Sequence, residues 1–198
     1  MGRPTKENSL SRQDVINAAI ACVEKEGEAA LGVNRVAREL GIKPPAIYKH
    51  LQGNAELKKA VAVAVYQLYF DYIKRKTTEV DRTKNLLKAG GLATREFAKL
   101  HPRLYQIMVQ FQLQPDDSES ASIIKESQNM FQMLLDSQDL STNKSIDIMR
   151  MVNSAIIGFI NLEQSKLLTL PRSTDDSFEV MLDALLKAIE YIKMLDDN

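Results

Sequence analysis

The sequence predicts an all-α protein, because apolar residues recur at three- and four-residue spacing along almost the whole chain. Signals for β-strands are nearly absent, and the apolar segments are separated by short polar or Gly/Pro clusters. The chain has 198 residues, of which 44% are hydrophobic and 26% charged, so it is globular and long enough to bury a substantial core. The pattern places nine helices at residues 11–26, 33–40, 44–51, 54–77, 82–100, 102–111, 118–138, 143–168 and 175–195.

The first four helices are predicted from their ends as well as from their apolar faces. Ser11 and Asp14 supply an N-cap and a favourable first-turn charge for the first helix, and Gly27 closes it. Pro44 begins the third helix at no cost, because its missing N–H would have no intrahelical partner there. Asn54 is predicted to cap the long fourth helix.

The later helices are longer and less sharply bounded. Their separators are the His101-Pro102 pair and polar segments at residues 114–117, 137–143 and 171–176. We therefore expect a small three-helix domain at residues 1–55 and a larger helical domain at residues 56–198, with the fourth helix beginning at the boundary.

Several broad classes of protein are disfavoured by composition. Cys22, the single cysteine, falls on an apolar helical face and is expected to be a buried small hydrophobe; a redox-sensing thiol would need exposure and basic neighbours. The polar N-terminus has no apolar signal-peptide core, and no apolar run approaches the roughly 18 residues needed to cross a bilayer. We expect a cytoplasmic protein with no membrane partner.

Charge is distributed unevenly along the chain. The net charge is zero, but residues 1–60 carry ten Lys and Arg against seven Asp and Glu, and the remainder is correspondingly acidic. A mildly basic N-terminal segment has the right sign for contact with phosphate.

Residues 33–52 have the spacing of a helix-turn-helix. The small Ala37 allows a second helix to cross the first, and Gly41, four residues on, tolerates the positive φ of the turn. Ile47 then packs the second helix back. The outward residues around it are short, basic and aromatic, which suits insertion in a major groove with flanking phosphate contacts. The alternative is a helical hairpin inside an all-α protein, with solvated lysines.

The segment VARELGIKPPAIYKHL resembles the tetracycline-repressor (TetR) family of bacterial regulators. The family pattern is matched at Val36, Ala37, Gly41, Ile42, Ile47, Tyr48 and His50. The C-terminal part is similar to a subgroup with a Trp-His-Gly motif, through HPRLYQIMV (101–109) and AIIGFINLEQSKLL (155–168). In this chain Ile156 and Ile157 replace the Trp-His pair before Gly158.

The resemblance implies DNA-contacting roles for nine residues. Base edges would be faced by Lys43, Pro45, Ala46 and Lys49, with thymine methyls as partners of the apolar pair. Phosphates would be contacted by Tyr48, His50, Asn54 and Lys58, the last two helped by the dipole of the fourth helix. Arg3, before the first helix, would reach into a minor groove.

The larger domain carries two further sets of candidate residues. A dimer interface, which the resemblance implies from the last two helices, would use the wide apolar stripes of Met149, Val152, Ile156, Ile160, Phe178, Leu182, Leu185 and Ile189. A pocket for a small apolar ligand would be lined by Phe97, Tyr105, Met108, Phe111, Met130, Phe131, Met133 and Phe159. Packing of the core explains both sets equally well, and the pocket depends on the resemblance.

We expect a dimeric DNA-binding transcriptional regulator, a repressor that a small apolar ligand releases from a palindromic operator. The alternative is a regulator that works without an effector or under the control of another protein. An all-α enzyme is disfavoured, because the sequence has no metal-spaced His/Cys/Glu set, no Gly-rich phosphate loop and no nucleophile beside a base. No catalytic residue, metal site or cofactor is expected.

Overall fold

A computed structural model of the chain describes residues 10–78, 86–135 and 140–195. Within these ranges the chain contains nine α-helices and no β-strand, which confirms the predicted all-α fold. The helices are α1 (Arg12–Glu26), α2 (Val33–Glu39), α3 (Pro44–Ile47), α4 (Asn54–Thr78), α5 (Leu86–Leu100), α6 (Pro102–Gln110), α7 (Ser118–Leu135), α8 (Thr142–Gln164) and α9 (Thr174–Met194). A 3-10 turn at Glu28–Ala30 follows α1.

The start and the end of α1 are as predicted. The Asp14 amide donates to the Ser11 hydroxyl at 3.1 Å, and the Ser11 amide donates to the Asp14 carboxylate at 2.8 Å, so both residues form a capping box. Gly27 ends the helix at φ +86°, in the region that favours glycine.

The third helix is shorter than predicted, since α3 ends at Ile47 rather than near residue 51. The Tyr48 amide reaches the Pro44 carbonyl at 3.4 Å, and the next bond, from the His50 amide, goes back only three residues to Ile47. The chain after Ile47 therefore tightens into turns, as short helices commonly do at their ends.

The described residues form two compact units. The first unit contains the residues up to Gln67 together with Arg103–Gln112, and the second contains Leu68–Pro102 and the chain from Leu113 onward. Both α4 and α6 contribute to the first unit. The predicted domain boundary between residues 55 and 56 stays a prediction.

The first unit is built on the buried faces of α1, α2 and the first part of α4. Cys22 is fully buried among them, as predicted, and its burial raises the pKa of its thiol. Arg35 of α2 pairs with Glu26 of α1 at 2.5 Å and with Glu39 at 2.8 Å, so ion pairs reinforce the contact between these helices.

The second unit is centred on α5, which packs against α7, α8 and α9. Gly91 permits the close approach of α9, because a methyl group at this position would lie 2.7 Å from Leu182 Cδ2. Arg95, on the same helix, is 5% exposed and is surrounded by groups from α8 and α9. Its side chain donates to Glu163 and Thr174, pairs with Asp175 at 2.7 Å, and lies over the Phe178 ring.

Helix α8 contradicts the prediction that no apolar run approaches the length of a membrane span. By length and composition this helix is apolar enough to cross a membrane. Only 22% of its most apolar 18-residue stretch is buried. A core helix of a soluble protein passes the same test, so this finding is weak grounds for a span. It does show that much of an apolar helix remains accessible in the single chain.

Candidate nucleic-acid interface

The turn between α2 and α3 has the geometry of a helix-turn-helix. Gly41 lies at φ +65°, and Ala37 and Ile47 are 1% and 0% exposed. The Ile42 amide donates to the Ala37 carbonyl at 3.0 Å and the Gly41 amide to Arg38 at 3.2 Å, which closes the end of α2. The predicted roles of Ala37, Gly41 and Ile47 are confirmed.

The start of α2 is capped from a distant part of the chain. Gly32 stands at the N-cap without a side chain, and Asn54 Oδ1 accepts the Val33 amide at 2.9 Å. The prediction that Asn54 caps α4 is wrong, because Asn54 is the first residue of α4 itself and its side-chain oxygen accepts from α2. Near the start of α4, the Gln52 amide donates to the Glu56 carboxylate at 2.6 Å.

The residues predicted to meet DNA lie on the accessible side of the motif. Lys43, Pro45, Tyr48 and Lys49 are exposed, and Ala46 and His50 are partly exposed. Tyr48 is 54% exposed although it is a large aromatic side chain. Lys43 stands at the N-cap of α3 without a capping bond, and its side chain is exposed. Arg3 lies outside the described residues.

The cations of the first unit fall into two groups. Lys25 and Arg35 pair with the Glu26 and Glu39 carboxylates, and Lys58 pairs with Glu28 at 3.1 Å. Lys43 and Lys49, by contrast, make no ion pair in the part of the chain that the structure describes. Unpaired cations beside an exposed tyrosine form a surface suited to a polyanion.

Sequence reasoning passed over Arg38. This residue lies near the end of α2, is exposed, and like Lys43 makes no ion pair with the described residues. The signal that could have identified it is its outward position, directly after the inward Ala37. It is a further exposed cation beside the turn.

The eight residues predicted to line an apolar pocket are divided between the two units. Tyr105, Met108 and Phe111 belong to the first unit and the other five to the second. Four of the eight are buried: Phe97, Tyr105, Met108 and Phe131. Two, Met130 and Met133, line an open groove of about 390 Å³ whose other walls are polar or charged. The lining of this groove is therefore mixed, and the predicted apolar pocket stays a prediction.

The predicted dimer residues are mostly core residues of the single chain. Seven of the eight are at most 8% exposed, and only Met149 is partly exposed. The same apolar stripes hold α8, α9 and α5 together, so they are not free to meet a partner. Apolar side chains that do remain exposed on or beside these two helices are Leu162, Leu167, Leu170, Val180, Tyr191, Met194 and Leu195.

The described residues are all helical, and this turn with the exposed Lys43 and Lys49 is typical of DNA-binding transcriptional regulators of the helix-turn-helix class. Residues 87–185 match the family model of the tetracyclin repressor-like C-terminal domain. The chain belongs to the TetR family of transcriptional regulators, which are not enzymes. The Trp-His-Gly subgroup stays a prediction.

Similar proteins agree with this assignment. An uncharacterized HTH-type transcriptional regulator of Mycobacterium tuberculosis is 27% identical over 165 residues, 83% of this chain and 74% of that protein. A protein of unknown function from Rhodococcus sp. RHA1 has a similar structure, with a TM-score of 0.77 at 19% identity, covering 94% of this chain and 98% of the other. A TetR variant from Acinetobacter baumannii AYE, solved in complex with minocycline, gives a TM-score of 0.67 at 19% identity, covering 94% and 99%.

Proposed function

We propose that this protein is a cytoplasmic, homodimeric repressor that binds a palindromic operator and is released from it by a small molecule. The DNA-binding part is carried by one observation: Lys43 and Lys49 are exposed beside Tyr48 in a well-formed helix-turn-helix, and neither makes an ion pair with a residue that the structure describes. In this proposal Lys43, Pro45, Ala46 and Lys49 face base edges, and Tyr48 and His50 contact phosphates.

Asn54 and Lys58 complete the phosphate contacts at the start of α4. Asn54 uses its oxygen to cap α2, which leaves its amide N–H groups to donate to a phosphate. Lys58 has to exchange Glu28 for a phosphate, and both partners of that pair are about half exposed. An exposed pair of this kind contributes about 1 kcal/mol or less, so the exchange is easy.

A dimer is proposed because one helix-turn-helix reads only one half-site, and the second half-site lies about 34 Å away, one turn of DNA. The surface that supports it is the accessible apolar side of α8 and α9, with Val180 and Tyr191 58% and 64% exposed. Gly158 of α8 faces open space, so a partner helix could approach closely there.

The DNA-binding assignment is tested with Tyr48→Ala and Lys49→Ala, each measured by retardation of a palindromic operator selected from random DNA. Both variants should lose retardation and remain dimeric by sedimentation, because neither side chain belongs to the core. Arg172→Ala is the control, since Arg172 is an exposed cation in the segment between α8 and α9, outside the proposed DNA and dimer surfaces. Unchanged retardation in the first two variants would refute the assignment.

A second candidate function is a regulator without a small-molecule effector. The observation that favours it is that Phe97, Tyr105, Met108 and Phe131 are at most 8% exposed, which core packing alone explains. Thermal shifts against a panel of small molecules separate the two: a set of saturable shifts supports ligand control, and their complete absence supports the effector-independent regulator.

A further inference from the structure

The groove on the second unit combines charged and apolar groups along one face of α7. Its lining residues on this helix recur every three or four positions: Ser122, Lys125, Glu126, Asn129, Met130 and Met133. Lys74 of α4 completes the lining from the side. The volume of about 390 Å³ lies within the range of sites that hold small molecules.

The charges in the groove do not balance. Lys74 Nζ lies 2.6 Å from Glu126 Oε1, so these two groups neutralise each other. Lys125 is exposed and makes no ion pair within the described ranges, which leaves the lining with one excess positive charge. Ser122 and Asn129 add a hydroxyl and an amide that can donate to an anion.

The other part of the groove is apolar. Met130 is partly exposed and Met133 is 44% exposed, which is high for a methionine side chain in a packed helical unit. Flexible, polarisable methionines adapt to alkyl groups of varied shape. One end of a ligand would thus meet cations and donors, and the other would meet thioethers.

We infer that this groove binds a small amphipathic monoanion, such as a medium-chain carboxylate. Its carboxylate accepts from Lys125 and competes with Glu126 for Lys74, while its alkyl part covers Met130 and Met133. That competition weakens the ion pair between α4 and α7. Lys74 lies on the same continuous helix as the proposed phosphate contacts Asn54 and Lys58. An effect of the weakened ion pair on DNA binding therefore rests on the proposed function.

Binding is tested by titration calorimetry of the full chain without DNA, using decanoate and the uncharged decanol as probes. Decanoate should bind saturably at one site per chain and more tightly than decanol. Lys125→Gln should weaken decanoate by about threefold to tenfold, the range expected for one partly solvated charged hydrogen bond, and leave decanol unchanged. Lys187→Gln is the control, because Lys187 is also an exposed lysine without an ion pair among the described residues.

The position of the ligand is read from methionine methyl NMR. The chain has eight methionines, and decanoate should shift the signals of Met130 and Met133, which Met130→Leu and Met133→Leu identify. Equal weakening by Lys125→Gln and Lys187→Gln, shifts confined to other methionines, or no saturable binding would each overturn the inference.

The same samples separate this inference from the proposed function. If decanoate binds in the groove but does not release operator DNA, the site stands and the proposal of ligand release by this site fails. If operator DNA is retarded normally and decanoate does not bind, the site is refuted while DNA binding stands.

Discussion

Replacing Arg95 with methionine should destabilise the second unit much more than removal of an ordinary surface cation. The Arg95 side chain is 7% exposed and Glu163, its main partner, 18%. Without the guanidinium, Glu163 is left as a largely buried carboxylate that retains the Thr174 hydroxyl at 3.0 Å and the half-exposed Lys99 amine at 3.7 Å. Breaking a buried pair by removing one partner costs about 3–5 kcal/mol, and the residual exposure and hydrogen bond place this site near the lower end.

The assay is thermal unfolding followed by circular dichroism. A decrease of about 3 kcal/mol in the free energy of unfolding corresponds to a fall in Tm of about 6–12 °C for a chain of this size. Lys88→Met is the control on the same helix: its partners Asp183 and Glu179 are more than half exposed, so it should cost about 1 kcal/mol or less.

The difference in stability between wild type and Arg95→Met should depend on pH, in a direction that follows from the pKa of Glu163. The hydrogen bond from Arg95 lowers the pKa of Glu163 below its ordinary value of 4.5, so its stabilising effect is present above that pH. The contribution is lost as the pH falls through the lowered pKa of the folded state, and the gap between wild type and Arg95→Met should narrow there. A fall in Tm no larger than that of Lys88→Met, or a gap that widens in acid, would refute the reasoning.

Gly91→Ala should lower stability by about 1–2 kcal/mol in thermal unfolding, because overpacking against Leu182 outweighs the gain in helix propensity; an unchanged Tm would contradict this. Asn54→Ala should cost about 1 kcal/mol and weaken operator retardation, because it leaves the Val33 amide without its cap, and a variant as stable as wild type would show that water replaces the cap. The Cys22 thiol, buried and with a raised pKa, should react with a thiol reagent at pH 8 only after denaturant is added; rapid labelling of the native protein would contradict its burial.

The local features of the fold were predictable from the sequence. Ser11, Gly27 and Gly41 act on neighbouring residues, so their spacing was enough to locate the end of a helix or the corner of the turn. Ala37 and Ile47 were predictable for the same reason, because the helix-turn-helix fixes which positions meet.

Features that depend on distant contacts were not predictable in this way. A capping side chain can serve any helix end within reach, so the sequence could not show that Asn54 caps α2. An apolar stripe such as that of Val152 and Leu182 has the same periodicity whether it packs within the chain or against a partner, and here it packs within the chain. Aromatic and methionine positions likewise do not reveal whether they share a cavity, and Tyr105 and Phe97 fall in different units.

The cap that Asn54 supplies to α2 has a consequence for folding. An isolated helix of seven residues is too short to be stable in water, and α2 also lacks a capping side chain of its own. Its first turn is completed only when the start of α4, 21 residues after Val33, is in place. The DNA-reading part of the protein therefore forms as one cooperative unit, and a fragment that ends before α4 would not hold its second helix.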